Sequence, residues 1–419
     1  MSPLLFDDEQ DWSDPAVQAS GLEAAFRDRA ERALAAQVLT LAQPRPTTFR
    51  AFLVALRAGI AQRLGLDQPF MERSAAGALA SLAQFESNAI RTMAAYQPEH
   101  HPNPGAVRWP RSPRSQEDDL YTVLPMVENL GLVSKSTAVT SIGSCFASEI
   151  AFSLQRRGYN YVVTEGALCE ETGARYAADM PEPGLVQSSA NWGIVFNTAG
   201  FRQLAEKAFG LRELPRLLVR QTDLGVLTDP FRESVLFPSA EAYQRNYPLH
   251  AEAVRQAFLQ AEVVIITPGL TEVWEYIPDG SILSRSIRAA SLAPLIRPRT
   301  TDVAENAENL QVFIDILRSH NPSLKVIMTV SPVPLSATFR GRDTHIVAAN
   351  GLSKATLRAA VEQVVNANRD VYYFPSYELV TMCTKDPWIE DQRHVSRSTV
   401  ARVLDLFEAM FVVPDDKGA

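Results

Sequence analysis

The sequence contains a cysteine whose position suits nucleophilic chemistry. Cys145 lies within the pentapeptide Gly-Ser-Cys-Phe-Ala at 143–147, directly after a β-branched run and directly before an apolar helical pattern. A thiol at the start of a helix meets the positive end of the helix dipole, which favours the thiolate. Cys145 is therefore the leading candidate nucleophile. The competing interpretation is a buried structural cysteine, because free cysteine is among the most buried residue types.

A possible base for this nucleophile lies near the C-terminus, in a loop-like stretch before the last helical pattern. Asp391 precedes His394 by three residues. An aspartate so placed can hold one imidazole nitrogen while the other nitrogen faces a nucleophile. This spacing often arises by chance, so the pair indicates a catalytic base only in combination with Cys145.

Two further segments can supply oxyanion or substrate contacts. Gly269, Thr271 and Glu272 close the most apolar run of the chain, and Gly193 and Asn197 precede a helical pattern. Their backbone N–H groups or short polar side chains suit a site where an oxyanion develops. The commoner use of such residues is in turns and helix N-caps, and this alternative stays open.

These segments are far apart in the chain and need a scaffold that gathers them. Apolar runs of strand length alternate with helical patterns of ten or more residues, which predicts an α/β domain with a parallel sheet flanked by helices. Ligands of such sheets bind beyond the carboxyl ends of the strands, where Cys145 and Gly269 are expected. The predicted strands are 137–143, 159–165, 261–269, 324–334 and 371–377.

The N-terminal part has a different pattern. Three Ala-, Leu- and Arg-rich segments with helical spacing predict an α-helical N-terminal domain over 1–96. A stretch rich in Pro, Arg and Ser then begins a linker and lead-in over 97–136. The α/β domain is expected to span 137–419.

The composition limits the classes of function. The 419 residues carry a net charge of −8, which gives no general attraction for nucleic acid or anionic membranes. No signal-like start and no membrane-length apolar window are visible, so we expect a cytoplasmic protein without membrane insertion. The three cysteines are widely spaced and expected to be free thiols. The pattern indicates neither a metal site nor a nucleotide cofactor, and it leaves the oligomeric state unknown.

The pentapeptide at 143–147 and further segments in the same order resemble the GSCFA-domain family, which is similar to SGNH/GDSL-like hydrolases and acyltransferases. This resemblance covers roughly 137–410. It implies a flavodoxin-like, three-layer fold. The segments are GIVFNTAG, TPGLTEVWE, TVSPVP, ANGLSKATLR, YYFPSYELV and EDQRH.

The resemblance also implies roles for single residues. Cys145 matches the nucleophilic serine of the SGNH Gly-Asp-Ser turn, and Ser144 matches its aspartate. A shift of the alignment by one residue makes Ser144 the nucleophile instead, and this alternative stays open. Asp391 and His394 match the final acid and base without alteration.

The resemblance is less complete at the oxyanion site. Gly269 matches the glycine of the Gly-x-Asn-Asp block, but Thr271 and Glu272 replace its asparagine and aspartate. The separate oxyanion glycine has no clear equivalent, and Gly193 and Asn197 are candidates for this part of the site.

A Cys145–His394–Asp391 triad favours acyl transfer through an acyl-thioester intermediate, by an esterase, thioesterase or acyltransferase. The substrate is then a small-molecule or carrier-linked acyl compound, and the acceptor is water, a hydroxyl or an amine. A catalytically inactive SGNH-like binding protein is the main alternative. A redox-sensing thiol is a further one, and it needs Cys169 close to Cys145.

Overall fold

The computed structural model describes the second of two units into which the chain divides, Met1–Trp109 and Pro110–Ala419. The predicted helical domain over 1–96 and most of the predicted linker lie outside the described residues, so these domain boundaries stay predictions. The described residues are 119–177, 182–221, 226–232, 234–286 and 292–414, with Ser13 and Trp109 as isolated positions.

Single strands or groups of short strands alternate with helices along the described part of the chain. The strands are β1 (Val139–Gly143), β2 (Leu168–Cys169), β3 (Ala174–Tyr176), β4 (Val219–Gln221), β5 (Val226–Thr228), β6 (Val235–Phe237), β7 (Val263–Thr267), β8 (Glu272–Tyr276), β9 (Ser281–Leu283), β10 (Ile296–Thr300), β11 (Lys325–Met328) and β12 (Val371–Tyr373). The α-helices are α1 (Cys145–Arg156), α2 (Thr198–Ala208), α3 (Ala240–Gln260), α4 (Val303–His320), α5 (Ile346–Ala367), α6 (Ser376–Thr381) and α7 (Arg397–Phe411).

The central sheet is parallel, with the strand order β1-β7-β11-β12. The predicted strand 159–165 forms a single parallel bridge, Val139 to Tyr161, on the free side of β1. Counted with this segment, the order is the 2-1-3-4-5 of flavodoxin-like folds. The predicted fold class, a parallel sheet flanked by helices, is confirmed.

Apolar side chains on both faces of β7 explain why this strand is central. Val264 and Ile266 belong to one buried cluster, whereas Val263 and Ile265 belong to another. The first cluster includes residues of α2, α3, α4 and α5, and the second includes residues of α1, α6 and α7. Each fully buried Val or Ile side chain contributes about 1.5–3 kcal/mol. The sheet is therefore the middle layer of three.

Two small antiparallel sheets were not anticipated by the sequence patterns. One has the order β10-β8-β9 and the other the order β2-β3-β6-β5-β4. Most of their strands are two or three residues long, too short to show a period of two. Helix α3 begins at Ala240, contains Pro248 and ends at Gln260.

The end of the predicted lead-in packs on the α/β layers. The N–H of Leu130 donates to the carbonyl of Met410 at 2.7 Å, and Val133 forms a parallel bridge with Val412. The side chains of Leu124 and Leu130 contact the cluster that includes α7. The described part of this segment is thus integrated with the fold.

Candidate active site

The turn after β1 positions Cys145 at the start of a helix. Gly143 pairs with Thr267, and a Cβ at position 143 would lie 2.4 Å from the Thr267 carbonyl oxygen, so only glycine fits. The N–H of Ser144 donates to the same carbonyl at 3.1 Å. Helix α1 begins immediately afterwards at Cys145, which is partly exposed. The predicted strand–turn–helix geometry is confirmed.

Ser144 is the N-cap of α1. Its Oγ accepts a hydrogen bond from the Phe146 N–H at 3.3 Å, which satisfies one of the donors that a helix start leaves free. The side chain is buried, with 2% of the residue exposed. The hydroxyl of Ser144 therefore has a structural role that the adjacent thiol does not share.

The loop between α6 and α7 holds the predicted base and its orienting acid. One oxygen of the Asp391 carboxylate accepts the backbone N–H groups of Arg393 and His394, each at 2.9 Å. The other oxygen is hydrogen-bonded to Nδ1 of the His394 ring. The ring is thereby held so that Nε2 is free to face another group. The loop is closed by the Ile389 N–H, which donates to the His394 carbonyl at 2.9 Å.

The Cys145 side chain lies close enough to the His394 ring to act on its charge. Cys145, together with Asp391, raises the pKa of His394 to about 9 against the effect of burial. The N–H groups of His394 and Arg393 lower the pKa of Asp391 to about 2. At neutral pH the His394 ring is therefore an imidazolium, with the Asp391 carboxylate behind it. The structure brings Cys145, His394 and Asp391 together.

The turn after β1, the segment before α2 and the segment after β7 come together at the carboxyl ends of β1 and β7. The Val195 N–H donates to the Gly143 carbonyl at 2.9 Å, and the Gly269 N–H donates to the Phe196 carbonyl at 2.8 Å. A Cβ at Gly269 would lie 3.2 Å from the Cβ of Ser144. Gly269 therefore lies against the turn that carries the nucleophile candidate, as its motif predicts.

The other predicted oxyanion or substrate-binding residues have structural partners. Asn197 is the N-cap of α2: its Oδ1 accepts from Gly200 N–H at 2.7 Å, and its Nδ2 donates to the Leu283 carbonyl at 3.4 Å. Gly193 adopts a φ of +74°, a conformation that favours glycine. Their assignment to an oxyanion site stays a prediction.

Thr271 and Glu272 are buried at the start of β8. The Thr271 N–H donates to the Ser353 hydroxyl at 3.0 Å. The Glu272 carboxylate accepts from Thr338 Oγ1 at 2.6 Å and from Phe339 N–H at 3.2 Å, so it holds the loop after β11. Substrate-binding roles for both residues likewise stay predictions.

A lysine that sequence reasoning did not single out also reaches this region. Lys354 of α5 is 1% exposed, and its Nζ donates to the carbonyls of Gly269 at 2.8 Å and Val333 at 2.7 Å. Burial lowers the pKa of Lys354 to about 7, and the Cys145 thiol opposes this effect. A sequence signal was present, because Lys354 precedes Leu357 and Val361 by three and seven residues and thus lies on the apolar face of the helix.

Two hydroxyls near the turn are buried without a hydrogen-bond partner among the described residues, Thr267 Oγ1 and Ser331 Oγ. Thr267 ends β7 opposite Gly143, and the Ser331 Cβ lies 3.8 Å from the position of a Cβ at Gly269. Buried polar atoms normally have partners. These two hydroxyls therefore mark a polar region beside the nucleophile candidate.

The remaining cysteines lie elsewhere. Cys145, Cys169 and Cys383 are all free thiols. Cys169 belongs to the antiparallel sheet of β2, and Cys383 is buried in the cluster that includes α7. Within the ranges that the structure describes, no three His, Cys, Asp or Glu side chains are grouped as metal ligands. In those same ranges no helix has the length and apolarity to cross a membrane.

A model of the GSCFA family matches residues 138–407, a range that contains the turn at Cys145 and the loop at His394. The chain belongs to the GSCFA family. No curated protein matches it. One matched structure is that of a carbohydrate esterase family 2 enzyme plus carbohydrate-binding domain from Corynascus thermopiles (Myceliophthora fergusii), at 14% identity and a TM-score of 0.29. The match covers 68% of this chain and 66% of that chain, so this GSCFA protein spans less than two thirds of that esterase.

Proposed function

We propose that this GSCFA protein is an acyl-transfer enzyme of the esterase type, in which Cys145 forms a covalent acyl-thioester intermediate. The observation that carries the proposal is that the His394 ring, which is hydrogen-bonded to Asp391, is electrostatically coupled to Cys145 at the start of α1. A nucleophile, a base and an orienting acid within hydrogen-bond reach are the elements of nucleophilic catalysis.

Each proton in the proposed reaction is handled by His394. The thiol proton passes to His394, which gives the thiolate–imidazolium pair, and the Cys145 thiolate attacks the carbonyl carbon of the acyl donor. The C–S bond forms, the bond to the leaving group breaks, and the imidazolium donates its proton to that group. In the second half, the imidazole takes a proton from water, a hydroxyl or an amine. The deprotonated acceptor attacks the thioester, and the thiolate leaves.

Several contacts support Cys145 over Ser144 as the nucleophile. Ser144 is buried and accepts the Phe146 N–H as helix cap, whereas Cys145 is partly exposed and acts on the charge of His394. A thiolate is also intrinsically the stronger nucleophile. The raised pKa of His394 fits a thiolate–imidazolium pair, which is reactive near neutral pH.

The oxyanion of the tetrahedral intermediate needs preorganised donors. The N–H of Cys145 is the first of α1, and the first N–H groups of a helix have no acceptor within it. We assign this group to the oxyanion, where the helix dipole adds to its effect. The N–H groups of Gly269 and Thr271 suit this role less well, because they donate to Phe196 and Ser353.

We propose only the chemical class of the acyl donor and of the acceptor. A small-molecule or carrier-linked ester or thioester suits a thiolate nucleophile. The half-exposed His394 leaves room for an acceptor beside it, with 47% of its side chain accessible. Hydrolysis and transfer differ in whether that acceptor is water.

The test is intact-mass labelling with p-nitrophenyl acetate across pH. We expect one acetyl adduct on the wild-type protein, no adduct on Cys145→Ala, and slow labelling of His394→Ala. The matched control is Cys169→Ala/Cys383→Ala, which removes the other two thiols and should label like the wild type. Ser144→Gly should also label, since glycine replaces a serine cap at a cost of only a few tenths of a kcal/mol.

Two results would contradict the proposal. One is an adduct that persists in Cys145→Ala, which would assign the reaction to Ser144 or to another thiol. The other is slow labelling shared by all three cysteines and unaffected by His394→Ala, which would favour the ligand-binding alternative.

A further inference from the structure

Arg393 is a half-buried cation whose side chain has a single hydrogen-bond partner among the described residues. Its Nη2 donates to the Pro334 carbonyl at 3.3 Å. Its Nε is buried without a partner, and Nη1 also lacks a partner among the described residues but is not buried. Within those ranges no carboxylate forms an ion pair with the guanidinium. Most of its five N–H donors are therefore unused.

Other half-buried arginines of the same domain have several partners. Arg358 donates to the carboxylates of two glutamates. Arg402 donates to the carbonyls of Cys383 at 2.7 Å and Val123 at 3.1 Å. Polar groups that are removed from water normally have hydrogen-bond partners. Arg393 is an exception, and a bound anion would supply what its guanidinium lacks.

The arginine belongs to the loop that carries the proposed base. One oxygen of the Asp391 carboxylate accepts the backbone N–H groups of both Arg393 and His394, each at 2.9 Å. The side chain of Arg393 extends from this loop to Pro334, in the loop after β11. In a parallel sheet that loop lies at the same edge as the turn after β1, where ligands of such sheets bind.

The loop after β11 is also joined to the segment beside the nucleophile candidate. The Ser331 N–H donates to the Pro268 carbonyl at 2.9 Å. The next residue, Gly269, lies against Ser144, since a Cβ at Gly269 would be 3.2 Å from the Ser144 Cβ. The guanidinium of Arg393 therefore bridges two loops that border the proposed site.

The proposed reaction indicates which part of the substrate lies near Arg393. His394 donates a proton to the leaving group and takes a proton from the acceptor, so both groups bind on its side of the site. The Cα atoms of consecutive residues are about 3.8 Å apart, which places Arg393 on that side as well. The Asp391 carboxylate is already bound by two N–H groups and by the His394 ring.

We infer that Arg393 is a specificity residue of the proposed acyl-transfer site and binds an anionic group, a carboxylate or a phosphate, on the leaving group or the acceptor. This inference rests on the proposed function, because the proton transfers of His394 assign the side of the site. The planar guanidinium presents pairs of N–H donors that match both anions, and such charge-assisted hydrogen bonds are strong. Nη1 and the second N–H of Nη2 form the free edge.

The test compares three acetyl esters of related nitrophenols. Two carry an anion on the leaving group, 4-acetoxy-3-nitrobenzoate and 4-acetoxy-3-nitrobenzyl phosphate, and the neutral reference is 4-acetoxy-3-nitrobenzamide. We expect Arg393→Met to lower the ratio of kcat/KM between an anionic ester and the amide by about 10- to 100-fold, since it removes charge-assisted hydrogen bonds. Both rates are measured on the same protein, so a partly unfolded sample does not change the ratio.

Two further variants separate a specific contact from a general effect of charge. Arg393→Lys keeps the charge but not the paired donors, and its ratio should lie between those of the wild type and Arg393→Met. Arg255→Met removes a positive charge from α3, where Arg255 pairs with Glu252, and should keep the wild-type ratio. A fall for one anion alone identifies that anion. An unchanged ratio for both anions in Arg393→Met, or an equal fall in Arg255→Met, would overturn the inference.

A second measurement does not need turnover. The Cys145→Ala protein is titrated with the two released products, 4-hydroxy-3-nitrobenzoate and 4-hydroxy-3-nitrobenzyl phosphate, by isothermal titration calorimetry. Adding Arg393→Met should raise the Kd of at least one of them about tenfold, and equal Kd values for both would overturn the inference. A raised Kd in a protein whose Cys145 forms no acetyl adduct would contradict the proposed function and leave the anion site.

Discussion

In the part of the chain that the structure describes, two histidine–carboxylate pairs have similar contacts but different charge states. In one, Nδ1 of His250 lies 2.7 Å from Oε2 of Glu165; in the other, Nδ1 of His394 is hydrogen-bonded to Asp391. Burial, and then the charge of Arg232, lower the pKa of His250 to about 3. The nearby Cys145 raises the pKa of His394 to about 9. A histidine beside an acid is therefore neutral in one place and cationic in the other.

The difference comes from what surrounds each pair. Arg232 donates to both oxygens of Glu165, at 3.0 and 3.1 Å, so the carboxylate already has a cationic partner. His250 is 1% exposed and would become a second buried cation if it were protonated. The Asp391 pair lies in a half-exposed loop, with a thiol on the far side of the ring. The His250 pair is thus a buried part of the fold, whereas in the proposed function the His394 pair exchanges a proton with Cys145.

The largest expected effect is on the rate of acetylation, which distinguishes the proposed catalytic pair from the buried pair. His394→Ala should slow acetylation of Cys145 by about 10²- to 10⁴-fold, because it removes the general base. At pH 10, above the raised pKa of His394, the free energy of unfolding should change by no more than about 0.5 kcal/mol, since the side chain is half-exposed. Stopped-flow release of p-nitrophenol and urea unfolding measure the two quantities. A variant that unfolds at much lower urea would show that His394 is structural.

The reverse pattern is expected at the buried pair. His250→Ala removes a hydrogen-bonded side chain from the core and should lower the free energy of unfolding by about 2–4 kcal/mol. The acetylation rate per folded molecule should stay near that of the wild type, because His250 does not contact Cys145. Urea unfolding and active-site titration at 15 °C check this prediction. A loss of rate in fully folded His250→Ala would show that His250 also takes part in the reaction.

A smaller effect is expected from the acid of the exposed pair. Asp391→Asn keeps an oxygen that can accept the N–H groups of Arg393 and His394 but removes the negative charge behind the ring. The pKa of His394 should fall by about one unit, and acetylation should slow about tenfold. The pH–rate profile measures both changes. An unaltered profile would mean that Asp391 only shapes the loop.

The smallest expected effect concerns stability and pH. The pKa of His394 is raised from 6.5 to about 9 in the folded protein, so its contribution to stability is full below pH 6.5 and is lost as the pH rises through 9. The difference in Tm between wild type and His394→Ala should therefore shrink between these pH values. Differential scanning calorimetry at constant ionic strength measures it, and a difference that grows with pH would contradict the assignment.

The sequence was informative where a residue's neighbours in the chain determine its environment. The apolar run of β7 predicted a central strand, and the pentapeptide at 143–147 predicted the turn that places Cys145 at the start of α1. Asp391 and His394 are three residues apart, so their contact was also predictable. In each case the relevant partners lie within one local segment.

Other features depend on contacts between distant segments, and the sequence patterns did not indicate them. Glu165 and His250 are separated by 85 positions. Lys354 lies on an apolar helix face, but its carbonyl partners come from two other loops. The carbonyl of Leu283, which accepts a hydrogen bond from Asn197, is likewise 86 positions away from it in the chain. Such pairs follow from the order of strands in the sheet rather than from spacing along the chain.

The coupling between His394 and Cys145 can be measured by an NMR pH titration of the histidine rings in the wild type and in Cys145→Ala. We expect His394 to titrate near pH 9 in the wild type and at clearly lower pH without the thiol, and His250 to stay neutral above about pH 3 in both proteins. A His394 ring that titrates near pH 6.5 in both proteins would show that it is not coupled to Cys145, and would contradict the proposed nucleophile and base.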